Sequence, residues 1–314
     1  MSSSTTNPDL ARLRALRPAL EARQRLMQSI RSFFAAQEFL ETETPLRIPA
    51  PAIEDYIDAE PAGNWFLRTS PELHLKRLLA AGYPRLFQLG PCFRQGECGH
   101  RHQPEFCMLE WYRADSDCNE ILTDTVALVR AACQVVTGGQ LCHYAGYTVN
   151  VGLPWEELTV DDAFAKFAGR TPEAAMAAGE FEHDIVTKIE PRLGLERPCI
   201  LRNYPLPFGG LARRCPERAD RAERWELYIG GLEIANAYSE LTDPAEQRHR
   251  FAESAEIRRR DGRTVYPLDE KFMAALVSGL PPAGGIALGV DRLLMTLTGT
   301  ADIADIVAFP QAHN

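Results

Sequence analysis

The chain has 314 residues, 45% hydrophobic and 25% charged, and its 34 Lys plus Arg against 43 Asp plus Glu give a formal charge of -9. These proportions suit a soluble globular protein of one large domain or two small ones. The acidic balance disfavours a long phosphate backbone as default partner, and eight cysteines without a CxxC pair signal neither a zinc ribbon nor a disulfide framework. With no signal peptide and no long apolar span, a cytoplasmic protein without membrane contact is expected.

MSSSTTNP is small and polar, so residues 1–19 are expected to be a disordered lead-in, with order starting near Leu20. Leu20, Met27, Ile30 and Phe34 then recur at helical spacing, leaving Arg23, Arg25, Gln28 and Arg31 to solvent. FLETETP follows as a strand ending at Pro45, which suits a strand end or an interface edge. Trp65–Thr69 reads as a short strand. Ser70-Pro71-Glu72 supplies a cap and a first-turn proline for a helix to about Ala81, which Gly82 stops.

Arg85–Cys92 and Phe106–Tyr112 read as two strands of a hairpin whose connection gathers Arg94, Glu97, Arg101 and His102 around Gly96 and Gly99. An exposed charged ribbon would show the same pattern; a nucleotide-handling hairpin also accounts for the arginines. Cys98, His100, His102 and Cys107 match no familiar metal spacing. Asn119–Val136 carries one apolar stripe and ends at Gly138-Gly139. Residues 140–222 are less regular, with short helices capped by Thr159 and Thr171, and are read as an insertion over the core. Arg224–Ile229 and Leu232–Leu241 form a second hairpin around Gly230-Gly231. Asp243-Pro244 caps a helix to about Arg260, whose Arg258-Arg259-Arg260 suits the negative helix end better than an RNA patch. Gly284–Leu288 is a buried strand and Val290–Leu297 a helix. Dominant hairpins predict an α+β fold, a mainly antiparallel sheet flanked by helices.

FRQGECGHRHQPEF resembles motif 2 of class II aminoacyl-tRNA synthetases, GGIALGVDRLLM resembles motif 3, and Pro45 with its preceding helix resembles motif 1. ERWELYIGGLEIANAYSEL and TSPELHLKR are similar to the lysyl-tRNA synthetase catalytic domain. The resemblance runs from about residue 20 to the C-terminus. It implies one class II catalytic domain over 20–314, interrupted at about 140–222, and a reaction joining an amino-acid carboxylate to the α-phosphate of ATP.

The resemblance also implies roles. Arg94 and Arg292 are the catalytic cations, Arg94 at the α-phosphate and Arg292 over the adenine or at the γ-phosphate. Phe106 stacks beneath the adenine. Gln95, Gly96, Glu97, His102, Gln103, Leu227 and Gly289 complete the ATP site, and Glu226 and Glu233 hold Mg²⁺, for which hard carboxylate oxygens are suited. Ser70, Pro71, Glu72, Glu110, Tyr112, Glu233, Asn236, Glu240 and Ala287 line the amino-acid site, with Glu110 and Glu240 on the distal ammonium and Glu72 on the proximal one. Three carboxylates suit a diamine, since a neutral amino acid would leave them unpaired.

Two departures narrow the resemblance. About twenty residues precede motif 1, so no anticodon-binding domain is expected. Ser70 and Ala287 stand where lysyl-tRNA synthetases have Ala and Gly, and both match the elongation factor P-(R)-β-lysine ligases, a homodimeric paralogue group that transfers (R)-β-lysine to a lysine of elongation factor P. Gln95-Gly96 departs from that group's Asn-Glu, leaving Glu97 to reach the adenine amino group. Arg101, Arg213 and Arg214 are candidate contacts for an acidic acceptor. The alternatives are a free-standing lysyl-tRNA synthetase-like enzyme with another acceptor and a non-catalytic adaptor.

Overall fold

The computed structural model describes residues 7–311. Helix α1 (Pro8–Ala15) starts beneath the Asn7 side chain, which accepts from the Asp9 N–H at 3.0 Å. Order therefore begins well before Leu20, correcting the expected lead-in; residues 1–6 lie outside the described residues. No residue of α1 is buried, so it carries no apolar stripe to read. Arg12 ties it down by donating to the Ala308 carbonyl at 2.8 Å. Helix α2 (Arg17–Ala36) buries Ala22, Leu26, Ile30 and Phe34 and leaves the expected Leu20 and Met27 half-buried beside that stripe.

Strand β1 (Leu40–Glu41) follows, then a small antiparallel sheet of β2 (Arg47–Ile48), β3 (Pro61–Ala62) and β4 (Trp65–Leu67). Helix α3 (Glu72–Ala80) leads to the long hairpin β5 (Arg85–Phe93) and β6 (Glu105–Ala114). Helix α4 (Cys118–Thr137) is entered through a capping box at Asp117 and left at Gly138, whose φ of 81° favours glycine. Then come the hairpin β7 (Leu141–Tyr144) and β8 (Tyr147–Asn150), and β9 (Glu156–Thr159). The short helices α5 (Val160–Ala163) and α6 (Pro172–Ala177) are capped by Thr159 and Thr171 as expected, followed by α7 (Phe181–Asp184) and β10 (Cys199–Arg202). The chain closes with β11 (Arg224–Ile229), β12 (Leu232–Ser239), α8 (Pro244–Arg260), α9 (Glu270–Gly279), β13 (Ala283–Gly289) and α10 (Val290–Thr298).

Eight strands form the main sheet in the order β1-β5-β6-β13-β12-β11-β10-β9. Its inner pairings are antiparallel, and only the outermost ones, β1 with β5 and β9 with β10, are parallel. The expectation of an insertion over the core is corrected here, because β9 and β10 extend the sheet itself. Four-residue strands are too short to show alternation in the sequence.

Pleating divides the sheet into two functions. Leu109, Trp111, Ile286 and Leu288 face a core shared with α2, α4 and α10. Their neighbours face the other side, where α3, α8 and α9 build a second apolar cluster around Leu75, Phe251 and Phe272. Arg258 corrects a further expectation: rather than serving as an exposed cation at the α8 terminus, its side chain is fully buried and donates to the Glu54 and Ile57 carbonyls at 2.8 and 2.9 Å and to Asp58 at 2.6 Å.

Candidate active site

Antiparallel register lines the site residues up across strands. One row runs Glu110, Ala287, Asn236, Glu226 through β6, β13, β12 and β11. The next runs Tyr112, Gly285, Tyr238, Arg224 through the same strands. Plain alternation along β12 would put Glu233 on the opposite face from Asn236. A β-bulge at Ile234, between the pairs Leu227–Ala235 and Tyr228–Glu233, changes the parity. Ile234 and Ala235 both enter the core, and Glu233 returns to the site face.

The second row depends on glycine at 285. A Cβ there would lie 2.1 Å from Glu240 Oε1 and 2.3 Å from Tyr112 Cε1, inside any allowed contact. Gly285→Ala is expected to displace Glu240 and Tyr112 and raise the amino-acid KM by about 10- to 100-fold, an overpacking cost of ~1–3 kcal/mol. Steady-state activation kinetics check it, and an unchanged KM would separate Gly285 from the pocket.

At one end of these rows lies a pocket of carboxylates. Ser70 Oγ donates to Glu110 Oε1 at 2.6 Å and accepts from the Glu72 N–H at 2.9 Å; the Tyr112 hydroxyl donates to Glu110 Oε2 at 3.0 Å. Burial, with Glu72 adding to it, pushes Glu110 up to about 8. Burial pushes Glu240 up to about 7 against the pull of Lys76. Lys76 Nζ stands 2.5 Å from Glu72 Oε1 and 2.5 Å from Glu240 Oε2. Pro71 is buried at the start of α3 and sets the direction in which Glu72 leaves the helix. Glu54, on the loop that Arg258 pins, keeps some solvent contact but is surrounded by protein. Burial pushes its carboxyl up to about 7 despite Arg94, and Glu72 adds to the rise.

Just past the ends of β5 and β13 are the cations. Arg94 opens a turn closed by the Glu97 N–H on the Arg94 carbonyl at 3.4 Å, with Gly96 at φ 79° as its third residue. Its guanidinium lies 5.2 Å from the Phe106 ring centroid and 3.7 Å from Glu97, and its buried Nε has no partner. An unpaired buried donor is costly unless an acceptor arrives, so Arg94 has capacity for an anion. Arg292, on α10 just past Gly289, donates to the Glu233 carbonyl and carboxylate at 3.1 Å each and to His102 Nε2. Burial and the Arg292 charge depress the His102 pKa, which suits a neutral acceptor.

Glu226 is heavily engaged. Arg224 holds one oxygen, and the Tyr204 and Tyr228 hydroxyls both donate to the other at 2.5 Å. A carboxylate offers about four lone-pair sites, so Glu226 retains room for a metal through one of them, while Glu233 is bound to a single arginine. Both carboxylates face one site beside Arg292, and their hard oxygens would suit a hard divalent cation such as Mg²⁺. Among the described residues no group of three or more His, Cys, Asp or Glu forms a cation site by itself, so phosphate oxygens or water must supply the remaining ligands.

The structure brings together Ser70, Glu72, Glu110, Tyr112, Asn236, Glu240 and Ala287 on one side and Arg94, His102, Phe106, Glu233, Gly289 and Arg292 on the other. Leu227 does not join them. Its side chain is wholly in the core, and its neighbours in β11 alone face the site. Gln103 uses its amide oxygen on the Gln311 N–H at 2.9 Å, Gln95 is exposed, and Gly96 presents only backbone. Arg213 and Arg214 pair with Glu223 and Glu246 within the chain rather than standing free for an acceptor. Sequence reading missed Lys76, Glu54, Arg224 and Gly285. The Glu72–Lys76 spacing of one helical turn was the available signal for the first; Glu54 sits on an irregular loop that gave none.

A sequence model of the tRNA synthetases class II (D, K and N) matches residues 7–313. The Elongation factor P--(R)-beta-lysine ligase of Proteus mirabilis (strain HI4320) is 35% identical, with 91% of this chain and 93% of that protein covered. The lysine--tRNA ligases of Azoarcus sp. (strain BH72) and Carboxydothermus hydrogenoformans are 35% and 36% identical over 92% of this chain, which spans 63% and 64% of their length.

Proposed function

Since this chain belongs to the class II tRNA synthetases (D, K and N), we propose that it is an ATP-dependent ligase that activates (R)-β-lysine as an adenylate and transfers it to the ε-amine of a lysine of elongation factor P. The observation that carries the reading is the union of a three-carboxylate pocket, buried Glu110 and Glu240 with half-buried Glu72, and an unpaired arginine donor at Arg94. The name of the Proteus relative, 93% of which aligns, supports the acceptor.

In this reading the two ammonium groups anchor the amino acid, Glu110 and Glu240 taking the distal one and Glu72 the proximal one. The carboxylate is then carried toward Arg94, which draws it and the α-phosphate together and stabilises charge at the crowded phosphorus. The substrate carboxylate is itself the nucleophile. Phe106 offers the adenine a face, and Arg292 exchanges Glu233 for a phosphate. Glu226 and Glu233 would hold Mg²⁺, which supplies charge neutralisation along the phosphates. Exposed Leu40 on β1, Leu46 beside Pro45 and Trp65 on β4 are apolar surface that supports a homodimer contact in this region. No helix among the described residues is long and apolar enough to cross a membrane.

ATP–pyrophosphate exchange with each lysine isomer, together with intact mass of elongation factor P after incubation, tests the proposal. Absence of exchange with any isomer, or no mass gain on the factor, refutes it. Near-equal identity to lysine--tRNA ligases favours a second reading in which α-lysine is the substrate and another molecule the acceptor. Ala287 decides between them because its Cβ sits in the row between Glu110 and Asn236. Ala287→Gly is expected to shift the kcat/KM ratio toward α-lysine by about 10-fold, the order of one methyl, as competing activation rates would show.

The pocket also predicts a pH dependence. Glu110 holds a proton in the empty site up to about pH 8, and an arriving ammonium favours its ionised form. Binding therefore releases a proton, and affinity rises with pH until it levels above about 8. Below that, each pH unit lowers affinity by up to about tenfold for this proton, and Glu240, pushed up to about 7, adds a second loss below pH 7. Calorimetric titration between pH 6 and 9 checks the slope; affinity that is flat or falls with rising pH contradicts it.

A further inference from the structure

Within the acidic pocket the binding roles leave Lys76 without a task. Lys76 lies one turn after Glu72 on α3 with its side chain fully enclosed, and an enclosed ammonium costs several kcal/mol unless well paired. Its Nζ bridges Glu72 and Glu240 at 2.5 Å each. From β6, Glu110 also feels this cation, with Tyr112 beside it. Glu54, on the pinned loop, faces Glu72 from the far side. Glu240 Oε1 is buried without a hydrogen-bond partner, so the pair with Lys76 leaves that carboxylate with unspent acceptor capacity. The three carboxylates assigned to the substrate, Glu72, Glu110 and Glu240, thus stand against one resident cation, while Glu54 faces Arg94 and Arg224 as well.

We propose that Lys76 is a positioning residue: a counter-cation that aims Glu72 and Glu240 while the pocket is empty and offsets one of its negative charges, and so sets the charge the site accepts at two ammonium groups. The inference rests on the diamine reading. Two substrate ammoniums plus Lys76 balance the three carboxylates. A monoamine leaves one carboxylate unbalanced, and a third substrate cation has no partner among them. Without Lys76, Glu72 and Glu240 would share a buried space as like charges. Glu240 would then hold its proton more firmly, and an arriving ammonium would have to displace it.

Binding of lysine and (R)-β-lysine is to be measured by calorimetry from pH 6 to 9 for the full chain and for Lys76→Gln, Lys76→Met and Lys76→Arg. Gln retains hydrogen-bond donors for the two carboxylates and guards against simple misfolding of the Met variant. Beside the Glu110 step at about 8, the full chain should gain affinity through a midpoint of about pH 7 as Glu240 ionises. Lys76→Gln and Lys76→Met should move that midpoint upward by about one pH unit or more, with affinity at pH 7 down roughly tenfold. Lys76→Arg should keep the midpoint. An unmoved midpoint with affinity lowered equally at every pH would reduce Lys76 to packing and overturn the inference, as would an Arg variant that behaves like Gln. If the unmodified chain binds neither diamine at any pH, it is the diamine reading that fails.

Discussion

Arg94→Ala is expected to lower ATP–pyrophosphate exchange by about 10³-fold while leaving the fold intact, since a charge donor acting on a developing phosphoryl or oxyanion charge contributes on that scale. Arg94 is suited to this because its structural engagements are few. It makes a distant pair with Glu97, lies against Phe106, and has a buried Nε with nothing to bond. A thermal melt should therefore be almost unchanged, which separates the variant from a folding defect. Exchange within tenfold of the unmodified rate would remove Arg94 from the centre of the chemistry.

The second large effect concerns stability. Arg258→Met is expected to cost about 3–5 kcal/mol, the range for breaking a buried ion pair from one side, and to lower the melting temperature by on the order of 10 °C. The guanidinium bonds the carbonyls of Glu54, Ile57 and Thr264 and the carboxylate of Asp58, so Met would leave several buried acceptors unsatisfied. The loop is also tied to the β5–β6 connection, where the Gln95 N–H donates to the Asp58 carbonyl at 2.7 Å. Loss of the pin should consequently disturb Arg94 and reduce exchange as well as stability. A variant that melts like the unmodified chain would show that Arg263, which also reaches Asp58, holds the loop alone.

Much of this architecture was legible because periodicity and turn chemistry agreed. The β5–β6 and β11–β12 hairpins, the Asp243 cap of α8 and the Gly138 stop of α4 were read at or near their ends. The remainder depended on contacts distant in sequence. Helix α1 is polar throughout and held by Ala308. β10 is a strand because Arg224–Ile229 lies beside it, which four residues of its own could not announce.

The site divided along the same line. Residues carried in motifs, such as Glu110, Glu240 and Arg292, came to one face. Leu227 was misplaced because residue type and proximity to Glu226 say nothing about the side of a pleat. Arg258 looked like a helix-end cation because three arginines in a row suggest solvent. Its burial follows from a loop some 200 positions away in the chain. Lys76 and Glu54 belong to the same class, since a buried charge is recognised by its surroundings and not by its neighbours in sequence.

The transverse row from Glu110 to Glu226 makes the sheet a ruler. Adjacent strands lie about 4.8 Å apart, so three such steps separate Glu110 on β6 from Glu226 on β11 by roughly 14 Å in the plane of the sheet. That interval is set by backbone hydrogen bonds and does not relax when a side chain changes. An amino acid gripped by its distal ammonium therefore delivers its carboxylate at a depth fixed by its own chain length. On the diamine reading, a substrate one methylene shorter must either let go of Glu110 or carry its carboxylate less far along the pocket.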